Sequence, residues 1–479
     1  MNSPGTMLID GTWHSPDQHL DVTNPADGSV VGRIGWGDVD DARRWARSAA
    51  DAAAAALGEW GDAPARTRAD LLRRAAELID ERQHTIGELL ARESGKRLPE
   101  ALAEVAFSAE YFRWFAEEAR RPHGDLLTSE QPGRRQLTLR RPAGVVASLT
   151  PWNFPCSIQA RKLAPALAAG CSVVARVSEK APLAITELIR TLTDAGLPPG
   201  VVNLVHGPAA ETTGALLDHP AVRVVTFTGS TGVGRQIMAG AARRIVRPLL
   251  ELGGNAAFVV FDDADLDAAV EGAVLAKTRN TGQSCVAANR FVVHERVYDE
   301  FAHRLAARLD ALTIGDGSAE PCPDLGPVID ADRVAAVTAL VDEALAAGAR
   351  RLTADRAVPT GGHYLAPTLL ADVPEQMGLA REEVFGPAAG VFRFGTEEQA
   401  LAMANVPEVG LAGYVYSRDA GRIWRMADRM QVGILGANDP LPSVAYAPMG
   451  GVKQAGIGRE GAAEGLAEFT DVRYLAWRP

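Results

Sequence analysis

The chain has 479 residues, of which 47% are hydrophobic and 23% charged; that is enough for two or three domains with real cores and excludes a disordered or fibrous protein. Its formal net charge of −11 argues against nucleic acid or an anionic membrane as the main partner, because both select basic surfaces. The four cysteines, Cys156, Cys171, Cys285 and Cys322, have no CxxC or zinc spacing and make no evident disulfide framework, so a reducing cytoplasm is the expected location and no metal site is expected.

The N-terminal stretch MNSPGTMLIDGTWH lacks a basic region followed by a long apolar core, and no apolar run approaches the length of a membrane span, so neither export nor insertion is expected. Residues 7 to 34 carry short alternating segments broken by Asp10-Gly11, Asn24-Pro25 and Asp27-Gly28, a pattern that predicts hairpins. From Thr67 to Glu93 the apolar positions Leu71, Ala75, Leu78, Ile79, Ile86, Leu89 and Leu90 recur at helical spacing, and Gly95 stands where the helix should stop. A second helix is expected over Glu100 to Arg120, with Phe107, Tyr111, Trp114 and Phe115 facing inward as core packing. Between Gly124 and Arg141 the composition turns polar, and Gln136 to Arg140 alternates like an exposed strand whose open edge could pair with another chain. The pairs Arg120-Arg121, Arg134-Arg135 and Arg140-Arg141 suit solvated faces or subunit contacts.

From Ala143 the rhythm becomes strand and helix in alternation: Ala143 to Leu149, a helix to Ala168, Ser172 to Ala175, a helix from Pro182, Val201 to Val205, a helix to Leu217, and Val222 to Phe227. Alternation with short apolar runs predicts βαβ units and a mostly parallel sheet, with ligands outside the carboxyl ends of the strands. A second α/β section begins after Glu251, where the strand-like run Ala256 to Phe261 leads through Asp262-Asp263 into a helix that reaches the stretch Lys277 to Arg290, KTRNTGQSCVAANR. Small residues flank Cys285 there, which leaves room for a substrate carbon to approach a thiol nucleophile. On this stretch alone Cys285 is equally readable as a small buried hydrophobe. The turn Phe227 to Gly234 follows a strand and opens a helix, as a dinucleotide site should, but its glycines fall as GxxGxG rather than GxGxxG.

Four stretches in order carry a resemblance: Thr150-Pro151-Trp152-Asn153-Phe154-Pro155, Glu251-Leu252-Gly253-Gly254, Gly282-Gln283-Ser284-Cys285 and Glu382-Glu383-Val384-Phe385-Gly386-Pro387. Together they resemble the signature set of the aldehyde dehydrogenase superfamily across nearly the whole chain, closest in motif to succinate-semialdehyde dehydrogenases. The resemblance implies an α/β fold with a Rossmann-like cofactor domain (1–123 and 143–250), a catalytic domain (251–467) and a small β oligomerisation flap (124–142 with 468–479) that joins subunits into a homodimer or homotetramer.

It also implies roles. Cys285 is the nucleophile, and Asn153 with the Cys285 backbone N–H holds the alkoxide, a donor worth about 100- to 1000-fold in rate. Glu251 is the general base that sends the thioester to water; branches that pass the acyl group to coenzyme A generally lack it. Lys162 and Glu460 match a pair linked to proton relay and are equally readable as structural charges. Cofactor contacts fall on Thr150, Pro151, Trp152, Arg176, Ser178, Glu179, Gly229, Ser230, Leu252, Glu383 and Phe385. Arg176 departs from the usual lysine but keeps its charge. Glu179 can accept hydrogen bonds from an adenine ribose and repels a 2′-phosphate, which favours NAD, with NADP possible. Arg161 and Arg279 match a pair that clamps the far carboxylate of a semialdehyde, and Ser443 lies near a third contact; the alternative is that each arginine pairs with a nearby carboxylate. Met449 and Ala455 stand where the subgroup usually has Phe and Ser, so the acyl pocket can differ in size, and Ala287 replaces a second cysteine found in some relatives. The small-molecule substrate implied is an aldehyde, foremost succinate semialdehyde. A longer, neutral or aromatic aldehyde, a non-catalytic scaffold of the same fold, and a cysteine hydrolase remain as alternatives.

Overall fold

The computed structural model describes residues 6–121 and 124–479. The first five residues of the N-terminal stretch read above, and Pro122 and His123, lie outside the described residues. Two mostly parallel sheets organise the chain. In the first, five parallel strands, β1 (Val145–Thr150), β2 (Ser172–Val177), β3 (Val202–Val205), β4 (Val222–Thr228) and β5 (Arg247–Glu251), lie in the order β3-β2-β1-β4-β5. β1 and β2 are buried along their entire length, which is why they read as continuous apolar runs rather than alternating ones. The chain winds from β1 through β2 to β3 in one direction and resumes at β4 on the other side of β1. This reversal opens a crevice at the carboxyl ends of β1 and β4, where α/β sheets bind nucleotides.

The N-terminal strands Met7–Ile9 and Thr12–His14 form the expected hairpin and extend this sheet beside β3. At the opposite edge the short strand Gly456–Ile457 pairs antiparallel with β5, so the last part of the chain returns to the first sheet. The second sheet has six parallel strands, β6 (Ala256–Val260), β7 (Ala288–His294), β8 (Thr368–Ala371), β9 (Ala388–Phe394), β10 (Ala412–Tyr416) and β11 (Ile434–Ala437), in the order β8-β9-β7-β6-β10-β11.

Two expectations need correction. The periodicity from Thr67 to Glu93 belongs to two helices, Ala65–Glu81 and Gln83–Ser94, broken at Arg82 (φ −105°, ψ 8°); one apolar face continues across the break, so spacing alone does not reveal it. Gly95 does end the second helix, in the left-handed conformation (φ 75°) that glycine adopts without strain. The polar flap forms Arg135–Pro142, and this strand is covered along its whole length on one side and at Gln136 and Leu137 on the other. It is the middle of a three-stranded antiparallel sheet, paired on one side with Leu126–Leu127 and on the other with the C-terminal strand Thr470–Trp477. The outer edge belongs instead to Thr470–Trp477, whose Val472, Tyr474 and Trp477 are exposed. Among the described residues no helix is long and apolar enough to cross a membrane, and no cluster of His, Cys, Asp and Glu could hold a metal ion.

Candidate active site

The carboxyl ends of the first sheet deliver most of the expected residues. β1 ends at Thr150 and runs through Pro151, Trp152 and Asn153 into the buried helix that follows. β4 ends at Thr228, before Gly229 and Ser230, and β5 ends at Glu251. Ser230 caps the helix Thr231–Ala242 by accepting from the Val233 N–H at 3.4 Å, so the turn sits at the positive end of a helix dipole. The second sheet supplies Cys285 from the loop before β7 and Glu383 and Phe385 from the loop before β9.

Three cavities meet along this edge. One of about 320 Å³ is lined by Thr150, Arg176, Phe227, Val233 and the helices that follow β3 and β4. A second, of about 310 Å³, is lined by Pro151, Trp152, Asn153, Gly229, Ser230, Leu252, Arg333, Glu383, Phe385 and Cys285. Thr150 and Pro151 are consecutive, so the two adjoin. Buried polar atoms on these walls have no hydrogen-bond partner: Thr150 Oγ1 and Arg176 Nε on the first, Thr228 Oγ1 on the second. Unmet donors and acceptors in a crevice are costly without a ligand, and their placement fits a dinucleotide lying across the carboxyl ends of β1, β2 and β4. Glu179 and Ser178 do not line these cavities. The Glu179 carboxylate is held by Arg176 Nη2 at 2.7 Å, and Ser178 Oγ accepts only the Lys180 N–H at 3.4 Å.

Cys285 also borders a third, narrow cavity of about 50 Å³, with Phe107, Tyr111, Phe154, Ile158, Arg161, Arg279, Ser443 and Met449. The two aromatic residues of the Leu98–Glu118 helix, expected to be plain core, are therefore site walls. The thiol is half-buried and pushed up to about 12, by desolvation first and the Glu383 carboxyl second, while Arg161 acts in the opposite sense. At neutral pH it is a thiol, and its use as a nucleophile requires a base.

The backbone before it is unusual. Asn280 (φ 51°), Thr281 (φ 55°) and Gly282 (φ 78°) are all left-handed, a conformation that costs non-glycine residues about 1 kcal/mol or more each. Side chains hold it in place: Thr281 Oγ1 donates to the Gly326 carbonyl at 3.0 Å, Gln283 Oε1 accepts the Ile329 N–H at 2.9 Å, and Asn280 Nδ2 donates to the carbonyls of Asn153 (2.9 Å) and Gln283 (3.2 Å). Asn153 itself donates from Nδ2 to the Gln283 carbonyl at 3.1 Å, two residues before the thiol. Gly254 is required because a Cβ there would run into the Cys285 carbonyl.

Glu251 is buried, and neither carboxylate oxygen has a hydrogen-bond partner. Burial, then the nearby Glu460, raises it to about 8. Glu460 is the shared anion of a buried cluster: Lys162 Nζ lies 2.5 Å from Oε1 and also donates to Thr226 Oγ1 at 2.9 Å, and Arg161 Nε lies 2.7 Å from Oε2. Arg161 also touches the Met449 sulfur. The two expected substrate arginines therefore differ. Arg161 is paired with a carboxylate, whereas Arg279 has no ion pair among the described residues and lies over the Phe154 ring, 5.0 Å from its centre. Glu383 is pushed up to about 7 by burial, against the pull of a 3.1 Å hydrogen bond from the Gly254 N–H.

Of the expected residues, Ser178, Glu179, Lys162 and Glu251 line none of the three cavities, Lys162 and Glu251 being buried near Arg161 and Glu460, while the others converge on the cavity walls. Sequence reasoning did not single out Lys96, Glu104, Tyr111, Asn280 or Arg333 as site residues: Asn280 lies in the Lys277 to Arg290 stretch without a role of its own, Tyr111 reads as core, and Lys96, Glu104 and Arg333 carry no motif.

Known proteins resemble this chain over nearly its whole length. The glutarate-semialdehyde dehydrogenase of Pseudomonas aeruginosa is 43% identical over 98% of this chain and 96% of its own length. The NADP-dependent succinate-semialdehyde dehydrogenase of Escherichia coli is 42% identical over 98% and 96%. The crystal structure of betaine aldehyde dehydrogenase from Staphylococcus aureus in complex with NAD+ superimposes with a TM-score of 0.95 at 33% identity, covering 99% of this chain and 95% of that one. Residues 13–475 match the family model described as the aldehyde dehydrogenase family, and the chain belongs to that family.

Proposed function

We propose that this aldehyde dehydrogenase oxidises a short aldehyde bearing a distal carboxylate, foremost succinate semialdehyde, to the dicarboxylate, with NAD or NADP as oxidant. The observation that carries the substrate class is the charge of the narrow cavity. Its charged lining residues are Arg161 and Arg279, and no carboxylate among the described residues lines it; only Arg161 has a carboxylate partner, Glu460, which it shares with the buried Lys162. The surplus is cationic and partly dry, and an anionic substrate end removes its cost. A planar guanidinium such as Arg279, free of any carboxylate in the described residues, suits bidentate capture. Ser443 adds a hydroxyl on the same wall.

In this reading Glu251 takes the proton of the Cys285 thiol, and the thiolate attacks the aldehyde carbon to give a thiohemiacetal. Asn153 Nδ2 and the Cys285 N–H donate to the developing alkoxide, a neutral pair that stabilises the charge without protonating it. NAD or NADP, when bound, supplies the hydride acceptor. The residues that hold it are Thr150, Pro151, Trp152, Arg176, Gly229, Ser230, Leu252, Glu383 and Phe385, with Glu179 acting through its pair with Arg176. Glu251 first releases the thiol proton toward solvent, with the Lys162–Glu460 pair beside it as the relay, and then deprotonates the water that opens the thioester and frees Cys285. A carboxyl near 8 suits both proton transfers, because a general base works best when its pKa lies close to the operating pH.

The domain plan belongs to the same proposal: 1–123 and 143–250 carry the cofactor, 251–467 the chemistry, and 124–142 with 468–479 the subunit contact. Exposed Leu126, Val472 and Trp477 on a sheet with an open edge support a homodimer or homotetramer. The reducing cytoplasm suits four unpaired cysteines, one of them the nucleophile.

Steady-state rates on succinate semialdehyde, glutarate semialdehyde and butanal, each with NAD and NADP, test the reading. The expected result is a kcat/KM for a semialdehyde at least tenfold above that for butanal. Equal values, or a preference for the neutral aldehyde, would overturn the substrate class and leave the family unchanged.

A further inference from the structure

Behind the site lies a buried ion pair that none of the motifs contains. Lys96 and Glu104 are each 1% exposed, and Lys96 Nζ donates to Glu104 Oε2. Its two other directions are also used: it donates to the main-chain carbonyl of Asn153 at 2.8 Å and lies over the Phe154 ring, 4.4 Å from the centre. An ammonium group has three donors, and here each has a partner. Glu104 completes the arrangement from the other side. Its Oε1 accepts the N–H groups of Cys156 (3.0 Å) and Ser157 (3.2 Å). These are orphan donors in the first turn of the helix Pro155–Ala169.

The pair therefore grips the two ends of one short segment: Lys96 holds the peptide of Asn153, and Glu104 holds the start of the helix two residues later. The Asn280 amide reaches the same Asn153 carbonyl at 2.9 Å from the strained loop that carries Cys285. One carbonyl thus joins the Leu98–Glu118 helix, through Glu104 and Lys96, to the nucleophile loop, through Asn280. The amide that points from this residue at the Gln283 carbonyl is the one assigned above to the alkoxide.

We propose that Lys96 is a positioning residue for the reaction: by holding the Asn153 carbonyl it fixes the Asn153 side-chain amide relative to the Cys285 sulfur. This rests on the reading of Asn153 as the alkoxide donor. A buried ion pair is a poor source of net stability, since two apolar or neutral groups of the same shape serve as well. What this pair does that neutral groups cannot is hold a main-chain oxygen with a charge-assisted bond while capping a helix. A displacement of about 1 Å at a reacting group costs on the order of 100-fold in rate.

The test measures the pre-steady-state burst of NADH, which reports attack and hydride transfer before thioester hydrolysis. Four proteins form a cycle: wild type, N153A, K96M/E104Q and the triple variant. The double substitution removes both charges, so no lone buried ion remains, and the amide oxygen introduced by E104Q keeps an acceptor for the helix N–H groups. The expected results are a burst slowed about 10- to 100-fold in K96M/E104Q, an unchanged NAD dissociation constant, and a triple variant no slower than N153A alone. A role confined to stability would give an unaltered burst in folded protein, or losses that multiply in the triple variant; either overturns the proposal. If N153A alone leaves the burst unchanged, the alkoxide assignment fails and this proposal fails with it, whereas a slow N153A with multiplying losses removes only Lys96. Should K96M/E104Q not fold, the same cycle with K96L/E104Q, which also removes the Lys96 donor without leaving a lone charge, decides by the same criterion of additivity.

Discussion

Arg279 and Arg161 line the same narrow cavity, yet the structure predicts that replacing them has different consequences. Arg279 has no carboxylate partner among the described residues and rests on the Phe154 ring, so Arg279→Met removes a positive charge without stranding a negative one, and the thioether keeps the apolar contact. If Arg279 holds the substrate's distal carboxylate, the loss is that of a charge-assisted hydrogen bond, about 1.5–3 kcal/mol. At 1.36 kcal/mol per decade this is roughly 10- to 150-fold in kcat/KM for a semialdehyde, with butanal nearly unaffected. Arg161→Met acts otherwise, because Arg161 shares Glu460 with Lys162 and also lowers both the Cys285 thiol and Glu251. Its loss should slow butanal as well and move the pH profile of both substrates upward. The assay is kcat/KM for succinate semialdehyde and butanal on both variants, followed by NADH absorbance. Equal fractional losses on the two substrates in Arg279→Met would refute the carboxylate clamp.

Other predictions follow from single groups. Glu251, raised to about 8 by burial, is protonated and inactive as a base below that value, so kcat/KM should rise with pH through about 8; in Glu251→Gln this rise should vanish together with steady-state turnover. Because Glu179 occupies Arg176 at 2.7 Å, Glu179→Gln should free the guanidinium for a 2′-phosphate and shift the ratio of kcat/KM with NADP to that with NAD upward about tenfold or more; an unchanged ratio would separate this pair from cofactor choice. Glu93, buried and pushed up to about 8, binds its proton more tightly in the folded chain than in the unfolded one. Its stabilising effect is complete below the unfolded carboxyl value and is lost as pH rises through about 8, so the urea midpoint of Glu93→Gln should vary less than that of wild type between about pH 5 and pH 8. Val472 and Trp477 stand out from the C-terminal strand; Val472→Lys with Trp477→Lys should reduce the mass seen by light scattering, and a monomeric wild type would remove the oligomer altogether.

Local chemistry was readable along the chain wherever it depended on neighbouring residues. Buried parallel strands leave continuous apolar runs, so the stretches Ala143 to Leu149 and Ser172 to Ala175 read as strands, and the structure forms Val145–Thr150 and Ser172–Val177 there. The ordered motifs around Asn153, Glu251, Cys285 and Glu383 were legible because each is a compact run of small and special residues that a close-packed site demands. Gly254 is one such case, leaving no room for a side chain against the Cys285 carbonyl. The break at Arg82 was invisible because one apolar face serves both helices.

What only the tertiary structure decided are properties that arise between distant segments. The 1% exposure of Glu460 and its pairing with Arg161 as well as Lys162 decide which of the two cavity arginines is already neutralised, and nothing in the run Gly458-Arg459-Glu460 reveals it. The strand Arg135–Pro142 alternates like an edge, yet a strand more than 300 residues away covers one side of it. Lys96 follows the helix stop at Gly95 and Glu104 lies within the next helix, and neither stands out until folding places them behind Asn153. Side-chain type and local rhythm are written into the chain, but desolvation and the pairing of remote charges depend on which surfaces meet, and that is settled only when the two sheets close on one another.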